Sequence, residues 1–496
     1  MRRRCLALVL LAALCWPAPR VWACYAVIVG RGASADGSVL VAHNEQNGGR
    51  RILNFRRIPR RRFAEGATVR LRRGGTLDQV PETWAFLWSE NPGLSFSDGY
   101  LNEWGVAIVS DGCATREDGY EALVARGEIR HGGIGYMLRR LVAERARSAR
   151  EGVKVAGELV ERFGYSASGR SYVIADPREA WVFAAVQGRR WAARRVPDDC
   201  VVVLPNVHII GEMDLADTDN FLGSPDLVEY AAKRGWYEKE KKGTGPICRD
   251  GPEGAPHKLD LSPFSFRRAY SKVRGGPPDP RRLRGRELVT GQRDTASQGE
   301  GLSFGVRPAE KMTVAAVLAI LRDKGGPVPL STPSTQEAAV FQLRADMPRE
   351  IGCIYWRTTA EPVASVLTPW YLGITETPAS YYRDIPVDVH VSLDYHFRPP
   401  RGTFDEDPKL AWWTFKRLQD WVYGDYPTRV TAVSRTWQAF EARLFAEQPT
   451  VEAKALELWK TDQEAARAYL TKYCAEVAGK AWREAWEMRR STDSDN

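Results

Sequence analysis

The sequence predicts an α+β fold, an antiparallel sheet sandwich with helices outside it and a helical extension at the C-terminal end. Three observations predict it. Short apolar runs typical of strands fill the first hundred residues, two helical patterns follow, and strand-like runs resume near residue 171. From Asp407 onward the pattern is helical and rich in tryptophan. At 496 residues the chain can bury a large core and exceeds one small domain.

The first two strands are predicted to form a hairpin. Cys24–Val29 and Ser38–Ala42 are apolar runs on either side of Asp36-Gly37, a dipeptide typical of tight turns. This arrangement places Cys24 at the edge of a sheet. Two further strands are predicted at Trp84–Trp88 and Gly105–Ser110.

A pair of helices follows these strands. Apolar residues recur at helical spacing from Ile134 to Val142. Ser148 and Glu151 have the spacing of a capping box, and Gly164 stands where a second helix would end. Because the link between the two helices is short, we expect them to be antiparallel.

The remaining elements are less regular. Residues 235–307 are rich in Lys, Arg, Gly and Pro, and we interpret them as insertions and loops. A short helix is predicted at Met312–Arg322, and the seven tryptophans from Trp412 to Trp486 predict a packing face. The remaining predicted strands are Ser171–Ala175, Ala180–Val186, Trp191–Val196, Val201–Leu204, Cys353–Thr358 and Val363–Leu367.

Residues 1–23 have the three parts of a secretion signal. Arg2 to Arg4 form a positive start, Leu6–Trp16 is an apolar run too short to span a bilayer, and Val21-Trp22-Ala23 is close to a signal-peptidase site. The sequence thus predicts a signal peptide at 1–23, a main domain at 24–400 and a helical extension at 401–496, on a chain that is exported to the periplasm or the exterior. Cleavage after Ala23 would give Cys24 both a thiol and a free α-amine.

Three interpretations of Cys24 follow from this junction. It could be a buried or disulfide-bonded cysteine, as is common in exported proteins. It could carry a lipid anchor, although the bulky Trp22 fits lipoprotein processing badly. Third, it could be an N-terminal nucleophile whose own α-amine takes the thiol proton, since the ordinary pKa of such an amine is about 7.7–8.0.

Motifs after the junction favour the third interpretation. The segment Cys24–Gly49 (CYAVIVGRGASADGSVLVAHNEQNGG) resembles the opening of the C69 family of cysteine dipeptidases, which are related to secernins. Further segments resemble the family in the same order along the chain, namely Gly99–Ile108 (GYLNEWGVAI), Ser171–Phe183 (SYVIADPREAWVF) and Arg195–Asn206 (RVPDDCVVVLPN). The likeness extends from Cys24 to about Tyr230 and more faintly through Cys353–Tyr382.

This resemblance implies the αββα four-layer sandwich of N-terminal-nucleophile (Ntn) hydrolases. It also implies a cysteine-type dipeptidase that acts through a thioester on Cys24. There is one departure, because related Ntn hydrolases often carry Arg-Asn-x-Asp after the second strand. Here His43 takes the arginine position and Gln46 the aspartate position, so Glu45 or an acid from elsewhere would have to serve.

The predicted site has two groups of residues. The catalytic residues are Cys24, Asn206 and Asn102, because each asparagine lies in a family-like motif and could stabilise a tetrahedral oxyanion. The predicted substrate-binding residues are His43, Glu45 and Arg268; together with its neighbour Arg267, Arg268 would bind a substrate carboxylate. The spacing of the histidines predicts no metal, and no cofactor motif is present in the sequence.

Other functions stay open at this point. On the same fold, an N-acyl amide hydrolase of the bile-salt hydrolase or penicillin acylase type would need an apolar acyl pocket instead of a carboxylate for a free amine. A lipid-anchored, non-catalytic binding protein is the alternative of another class. The arginine-rich segment Arg50–Arg73 is more typical of a solvated surface than of a polyanion-binding patch, and we predict no nucleic-acid partner.

Composition limits the possible functions and partners in three ways. The net charge of +9 is mild for this length and does not by itself imply nucleic-acid binding. The eight cysteines include no C-x-x-C pair, and after residue 23 no apolar run is long enough to cross a membrane. We therefore expect a peptide substrate and no stable membrane insertion, and the sequence leaves open whether the chain forms a homo-oligomer.

Overall fold

The computed structural model describes residues 24–95, 98–238, 263–273, 277–296 and 301–493. The predicted signal peptide and Cys248 lie outside these ranges. The strands are β1 (Tyr25–Val29), β2 (Val39–Gln46), β3 (Asn54–Ile58), β4 (Arg61–Arg62), β5 (Thr68–Arg70), β6 (Thr76–Asp78), β7 (Glu82–Thr83), β8 (Phe86–Glu90), β9 (Gly99–Asn102), β10 (Ala107–Gly112), β11 (Arg170–Ala175), β12 (Ala180–Ala185), β13 (Trp191–Arg195), β14 (Val201–Leu204), β15 (Phe221–Gly223), β16 (Thr335–Leu343) and β17 (Cys353–Arg357).

The described helices are mostly short until the C-terminal part of the chain. They are α1 (Tyr120–Ala125), α2 (Met137–Arg145), α3 (Ala149–Phe163), α4 (Leu227–Lys233), α5 (Phe266–Tyr270), α6 (Pro280–Thr290), α7 (Val314–Leu321), α8 (Arg349–Gly352), α9 (Val387–His390), α10 (Leu393–Phe397), α11 (Ala411–Gly424), α12 (Tyr426–Thr461) and α13 (Gln463–Asp493).

Two antiparallel sheets form the centre of the molecule. The smaller has the order β14-β1-β2-β16-β17, and the larger has the order β15-β13-β12-β11-β10-β9-β8-β3. In the smaller sheet β1 pairs with both β14 and β2, so the strand that follows Cys24 is an interior strand, and the predicted position at a sheet edge is wrong. All five residues of β1 and all eight of β2 are buried. Strands buried on both faces read as continuous apolar runs, as β1 does here.

Helices cover the outer faces of these sheets. Side chains of α2 and α3 share a buried cluster with one face of the larger sheet, including Trp88 and Trp181. The other face of that sheet packs against the smaller one, with Val109 and Val173 in the same cluster as Val27. On the far side of the smaller sheet, α7 contacts β2 and β16, and α6 contacts β14. The α+β prediction is therefore confirmed.

Most predicted elements are found within one or two residues. The hairpin is present, with Gly37 at a φ of 74° and Asp36 accepting a hydrogen bond from the Ser38 amide. The helix pair is also present, and Ser148 caps α3 by accepting from the Glu151 amide. At the other end of α3, Gly164 has a φ of 77°.

One predicted strand, Val363–Leu367, is wrong. The segment is buried but forms turns, because the Arg322 guanidinium donates to the carbonyls of Pro362 and Ser365. Carbonyls bound in this way do not need strand partners. Conversely, the sequence analysis missed β16, which pairs with β2 along nearly its whole length.

The region predicted as insertions and loops also contains regular structure. Helix α6 occupies residues 280–290 within it, with Pro280 in its first turn and Asp279 accepting from the Arg281 amide. Gly291 ends the helix with a φ of 69°. These are ordinary start and stop signals, yet the helix has no apolar stripe, since five of its eleven residues are charged.

Three helices, α11 to α13, form most of the C-terminal part. Trp412, Trp413 and Trp437 are buried, which fits the predicted packing face, whereas Trp486 is exposed. Glu441 and Glu452 of α12 form ion pairs with Arg322 and Arg344 of the sheet-bearing part. The boundary at residue 400 stays a prediction. None of the helices in the described ranges combines the length and apolarity needed to cross a membrane.

Candidate active site

Cys24 lies directly before β1 and shares a face of the small sheet with two residues of β2. In the β1–β2 register Ala26 is opposite His43 and Tyr25 is opposite Asn44. Since alternate residues of a strand point to the same side, Cys24 lies on the side of His43 and Glu45. The pairing of two buried strands thus brings together a thiol, an imidazole and a carboxyl group.

The thiol is buried and hydrogen-bonded in this arrangement. Cys24 Sγ donates to Glu45 Oε1 at 3.0 Å and accepts from the Gln46 amide at 3.5 Å. Burial raises the pKa of the Cys24 thiol well above its ordinary value, and the nearby carboxylates of Glu45 and Asp111 raise it further. Burial likewise raises the pKa of Glu45, opposed by His43 and by the thiol's hydrogen bond. A thiol held in this way needs a base to become a nucleophile.

Asp111 of β10 completes the cluster from the other sheet. Its Oδ1 lies 3.4 Å from His43 Nε2, and the thiol sulfur, an imidazole nitrogen and a carboxylate oxygen all lie within 4.8 Å of one another. Burial by itself would lower the pKa of His43, but Asp111 and Glu45 outweigh it and the pKa is raised.

Several polar atoms of this cluster are buried without a hydrogen bond. Within the described ranges, His43 Nε2 and both carboxylate oxygens of Asp111 have no hydrogen-bond partner, although Nε2 and Oδ1 form an ion pair at 3.4 Å. Asp111 is fully buried and His43 is 4% exposed. Leaving buried polar groups unsatisfied is costly, so these atoms are candidates for contact with a water molecule, an ion or a bound ligand.

Arg281 links Cys24 to Asn206. From α6 its Nη1 donates to the Cys24 carbonyl at 3.3 Å, and its Nη2 donates to Asn206 Oδ1 at 3.0 Å. Because Arg281 binds the amide oxygen of Asn206, the amide nitrogen of Asn206 faces away from Arg281. The close approach of α6 depends on Gly285, where an added Cβ would lie 1.7 Å from the Tyr25 hydroxyl.

The structure does not bring the other two predicted residues to this cluster. The Asn102 amide donates to the carbonyls of Ala143 and Ala146 and accepts from the amides of Trp104 and Val106. These four bonds use its two hydrogens and both acceptor positions, so none is left for an oxyanion. Asn102 instead fastens the β9–β10 turn to the end of α2.

Arg268 lines a different cavity. This cavity has a volume of about 380 Å³, and its lining includes Arg267, Arg194 and Ser303 but not Cys24. A larger cavity of about 600 Å³, beside Trp104 and Arg349, also excludes the cluster residues. The assignment of Arg268 to substrate binding stays a prediction.

The departures at the end of β2 have structural explanations. The Asn44 side chain donates to the Leu321 and Leu330 carbonyls, and Gln46 Nε2 donates to the Leu330 carbonyl as well. These two side chains therefore hold β2 against the segment after α7. Asp111 is an acid from elsewhere in the chain that lies in this cluster, and neither it nor Arg281 was predicted from the sequence.

The missed residues left only faint signals in the sequence. Asp111 is the one acid in β10, and it comes directly after the strand predicted at Gly105–Ser110. Such an acid is costly to bury and therefore suggests function. Arg281 is one of four arginines among the eleven residues of α6, so nothing local distinguished it.

Comparison with known proteins adds relatives. A model of "Peptidase family C69" matches residues 23–326. The chain is 27% identical to a probable dipeptidase of Salmonella dublin, over 72% of this chain and 82% of the relative. It is 23% identical to probable dipeptidase B of Streptococcus pyogenes serotype M1, over 93% and 91%. It is also 25% identical to dipeptidase A of Lactobacillus helveticus, over 72% and 77%.

Among solved structures, similarity is found to penicillin V acylase from Agrobacterium tumefaciens, with a TM-score of 0.33 and 12% identity over 70% of this chain and 86% of that one. A mutant conjugated bile acid hydrolase from Clostridium perfringens gives a TM-score of 0.33 and 13% identity, over 68% and 89%. The family match spans well over half of the chain and the named relatives are dipeptidases. The chain therefore belongs to peptidase family C69, and it is a peptide-bond hydrolase.

Proposed function

We propose that this protein is an exported cysteine dipeptidase whose nucleophile is Cys24, exposed as the first residue when residues 1–23 are removed. The observation that carries the proposal is the position of Cys24. It stands directly before an interior strand, with its thiol in a buried cluster of acids and one histidine. On this proposal the two sheets and their outer helices are the αββα sandwich of an Ntn hydrolase, and α11–α13 are its C-terminal extension.

The buried thiol needs a base to become a nucleophile, and the α-amine of the mature chain would be that base. The Cys24 thiol would pass its proton to that amine while its sulfur attacks the peptide carbonyl. Collapse of the tetrahedral intermediate breaks the C–N bond, and the proton goes to the leaving amine. A thioester remains on Cys24, and water hydrolyses it to release the first amino acid. The amine exists only after cleavage, so the intact precursor would be inactive.

Asn206 is the residue best placed to stabilise the oxyanion. Arg281 binds its Oδ1 and the Cys24 carbonyl with one guanidinium group, which fixes the amide relative to the nucleophile. A donor held before the reaction begins needs no reorganisation when charge develops on the oxygen. Arg281 is a positioning residue in this scheme.

The acids beside Cys24 favour a dipeptidase over an N-acyl amide hydrolase. In a dipeptide the free ammonium nitrogen lies about 2.5 Å from the carbonyl carbon that is attacked, two bonds away. Its partner carboxylate must therefore lie next to the nucleophile, which is where Asp111 and Glu45 are. An acyl-chain pocket would need apolar side chains there. Asp111, with its oxygens lacking a hydrogen bond among the described residues, is the better candidate.

The decisive experiment compares a dipeptide with its N-acetylated form. Protein from an exporting host is first checked by intact mass for a mature start at Cys24 without an acyl group. We expect hydrolysis of the free dipeptide, strong discrimination against the acetylated one, and no activity for Cys24→Ala. Cys474→Ala is the matched control, because this buried thiol lies in α13 and outside the cluster. Preference for the acetylated substrate would support an N-acyl amide hydrolase instead of a dipeptidase. A lipid on Cys24 would refute the proposed mechanism.

The role of Asp111 has its own test. Asp111→Asn keeps the size of the side chain but removes its charge. We expect it to lose most kcat/KM on free dipeptides and to narrow the discrimination against acetylated ones. An equal loss on both substrates would mean that Asp111 serves the nucleophile and not the substrate ammonium.

A further inference from the structure

The cluster around Cys24 has the composition of a metal site. Cys24 offers a thiol, His43 an imidazole nitrogen and Asp111 a carboxylate oxygen, and all three residues are buried. Thiolate, imidazole and carboxylate are the ligands that Zn²⁺ takes in proteins. Sequence spacing held no sign of this set, because its members come from β10, β2 and the residue before β1.

The distances agree with such a site. In a tetrahedral zinc site with Zn–N and Zn–O of about 2.0–2.1 Å and Zn–S of about 2.3 Å, the ligand atoms are about 3.3–3.6 Å apart. His43 Nε2 and Asp111 Oδ1 are 3.4 Å apart. All three ligand atoms lie within 4.8 Å, so a displacement of the sulfur by about 1 Å would complete the triangle.

A second observation also indicates a ligand. His43 Nε2 and both Asp111 oxygens are buried without a hydrogen bond among the described residues. A cation bound between them would satisfy these atoms. Related Ntn hydrolases often carry an arginine at the position of His43. An arginine cannot ligate a metal, so the proposed metal site depends on the histidine.

We propose that Cys24, His43 and Asp111 bind one thiophilic divalent cation of the Zn²⁺ class, and that the bound cation inhibits the peptidase. Binding replaces the thiol proton, which is released to solvent, by a sulfur–metal bond. The sulfur lone pair is then no longer available for attack, and Asp111 no longer faces a substrate ammonium. The inhibitory part rests on the proposed function, whereas the binding part rests on the side chains alone.

Cobalt provides the test of binding, because Co²⁺ occupies zinc sites and gives a near-ultraviolet charge-transfer band only when bound to thiolate. The mature protein, which begins at Cys24, is stripped with a chelator and titrated with Co²⁺ and then with Zn²⁺. We expect one Co²⁺ per chain, with the band, and its displacement by Zn²⁺. No band at stoichiometric Co²⁺ would overturn the proposal.

Variants locate the site. Cys24→Ala should abolish the band, and His43→Gln and Asp111→Asn should each weaken Co²⁺ affinity by about 100-fold or more, since even loss of an outer-shell partner costs about 10–100-fold. Cys200→Ser is the control, because this half-exposed thiol beside Asp199 is a place for unspecific binding. A band that survives in Cys24→Ala or disappears in Cys200→Ser would assign the metal elsewhere.

Two further readouts use the unsubstituted protein and therefore do not depend on the folding of variants, and the first of them does not depend on activity either. In the unsubstituted protein Zn²⁺ should protect Cys24 from iodoacetamide, as seen by peptide mass, while Cys200 still reacts. Unprotected Cys24 would refute the site. Zn²⁺ should also suppress dipeptide hydrolysis reversibly with a chelator. Cobalt binding without any peptidase activity would support the metal site and refute the proposed function. Full activity at saturating Zn²⁺ would refute the inhibition and leave the proposed function intact.

Discussion

Replacing Arg281 by lysine should lower kcat by about 10²–10³-fold and leave KM nearly unchanged, as expected for loss of an oxyanion donor. The guanidinium group reaches two acceptors at once, the Cys24 carbonyl at 3.3 Å and Asn206 Oδ1 at 3.0 Å. Lysine keeps the charge but has one nitrogen and cannot make both contacts in a fixed fork. Each bond to a charged group contributes about 1.5–3 kcal/mol, so loss of both contacts is sufficient for a 10²–10³-fold fall in rate, which corresponds to about 2.7–4 kcal/mol.

The assay is steady-state hydrolysis of a dipeptide by four proteins: the unsubstituted enzyme, Arg281→Lys, Asn206→Ala and the double variant. If Arg281 acts on catalysis through Asn206, the effect of Arg281→Lys should shrink to about tenfold or less once Asn206 is alanine. Arg284→Lys is the matched control on the same helix, because Arg284 pairs with Asp323 and Glu287 and not with the nucleophile. Its kcat should stay at the unsubstituted level.

Two results would refute this reasoning. The first is a full 10²–10³-fold loss from Arg281→Lys in the Asn206→Ala background, since the two residues would then act independently. The second is an equal fall in kcat and rise in KM, which would make Arg281 a substrate-binding residue. A thermal melt of each variant shows whether loss of folded protein contributes.

The other predictions concern packing and pH. Gly285→Ala should destabilise the fold by about 1–3 kcal/mol, because the added Cβ would meet the Tyr25 hydroxyl at 1.7 Å. Gly479→Ala, in open surroundings in α13, should instead stabilise the fold by about 0.5–1 kcal/mol. Urea unfolding measures both changes. Glu90→Gln should cost about 3–5 kcal/mol, because it breaks a buried ion pair with His390 and His396; a loss below 1 kcal/mol by the same method would contradict this. Burial alone would lower the pKa of His396, but Asp98 and Glu90 outweigh it and raise it, so its stabilising contribution is complete below about pH 6.5 and is lost as pH rises through the folded pKa. His396→Gln should therefore flatten the decline of stability with rising pH, and an unchanged slope would refute the assignment.

Local patterns predicted the parts of the fold that local forces decide. The Asp36-Gly37 turn, the Ser148 cap and the Gly164 helix end were all visible in the sequence because a few neighbouring residues determine each of them. The strand β16 was missed for the opposite reason. Gln336 and Glu337 of β16 are polar, and their sequence pattern predicts exposed residues. Both are buried because they bind partners from other elements, the Gly48 carbonyl and Arg357.

The site was predictable where the chain itself assembles it. Cys24, His43 and Glu45 lie on one hairpin, so strand alternation alone brings them together. Asp111 and Arg281 come from β10 and α6, and only the packing of one sheet and one helix on that hairpin reveals them. Asn102 shows the converse, since its motif predicted an oxyanion donor, whereas its four hydrogen bonds go to the β9–β10 turn and to the end of α2.

The substitution at position 43 connects these findings. An arginine there would be permanently charged, would satisfy several acceptors at once, and could never bind a metal. Histidine is shorter and reaches only Asp111 among the acids within ion-pair distance in the described ranges, which leaves carboxylate oxygens of Asp111 unsatisfied. The same oxygens can accept a substrate ammonium or a divalent cation, and both are positive groups that must approach the Cys24 sulfur. Substrate and Zn²⁺ should therefore compete, so that saturating dipeptide raises the Zn²⁺ concentration needed for half-inhibition, whereas a metal bound outside the cluster would inhibit independently of substrate.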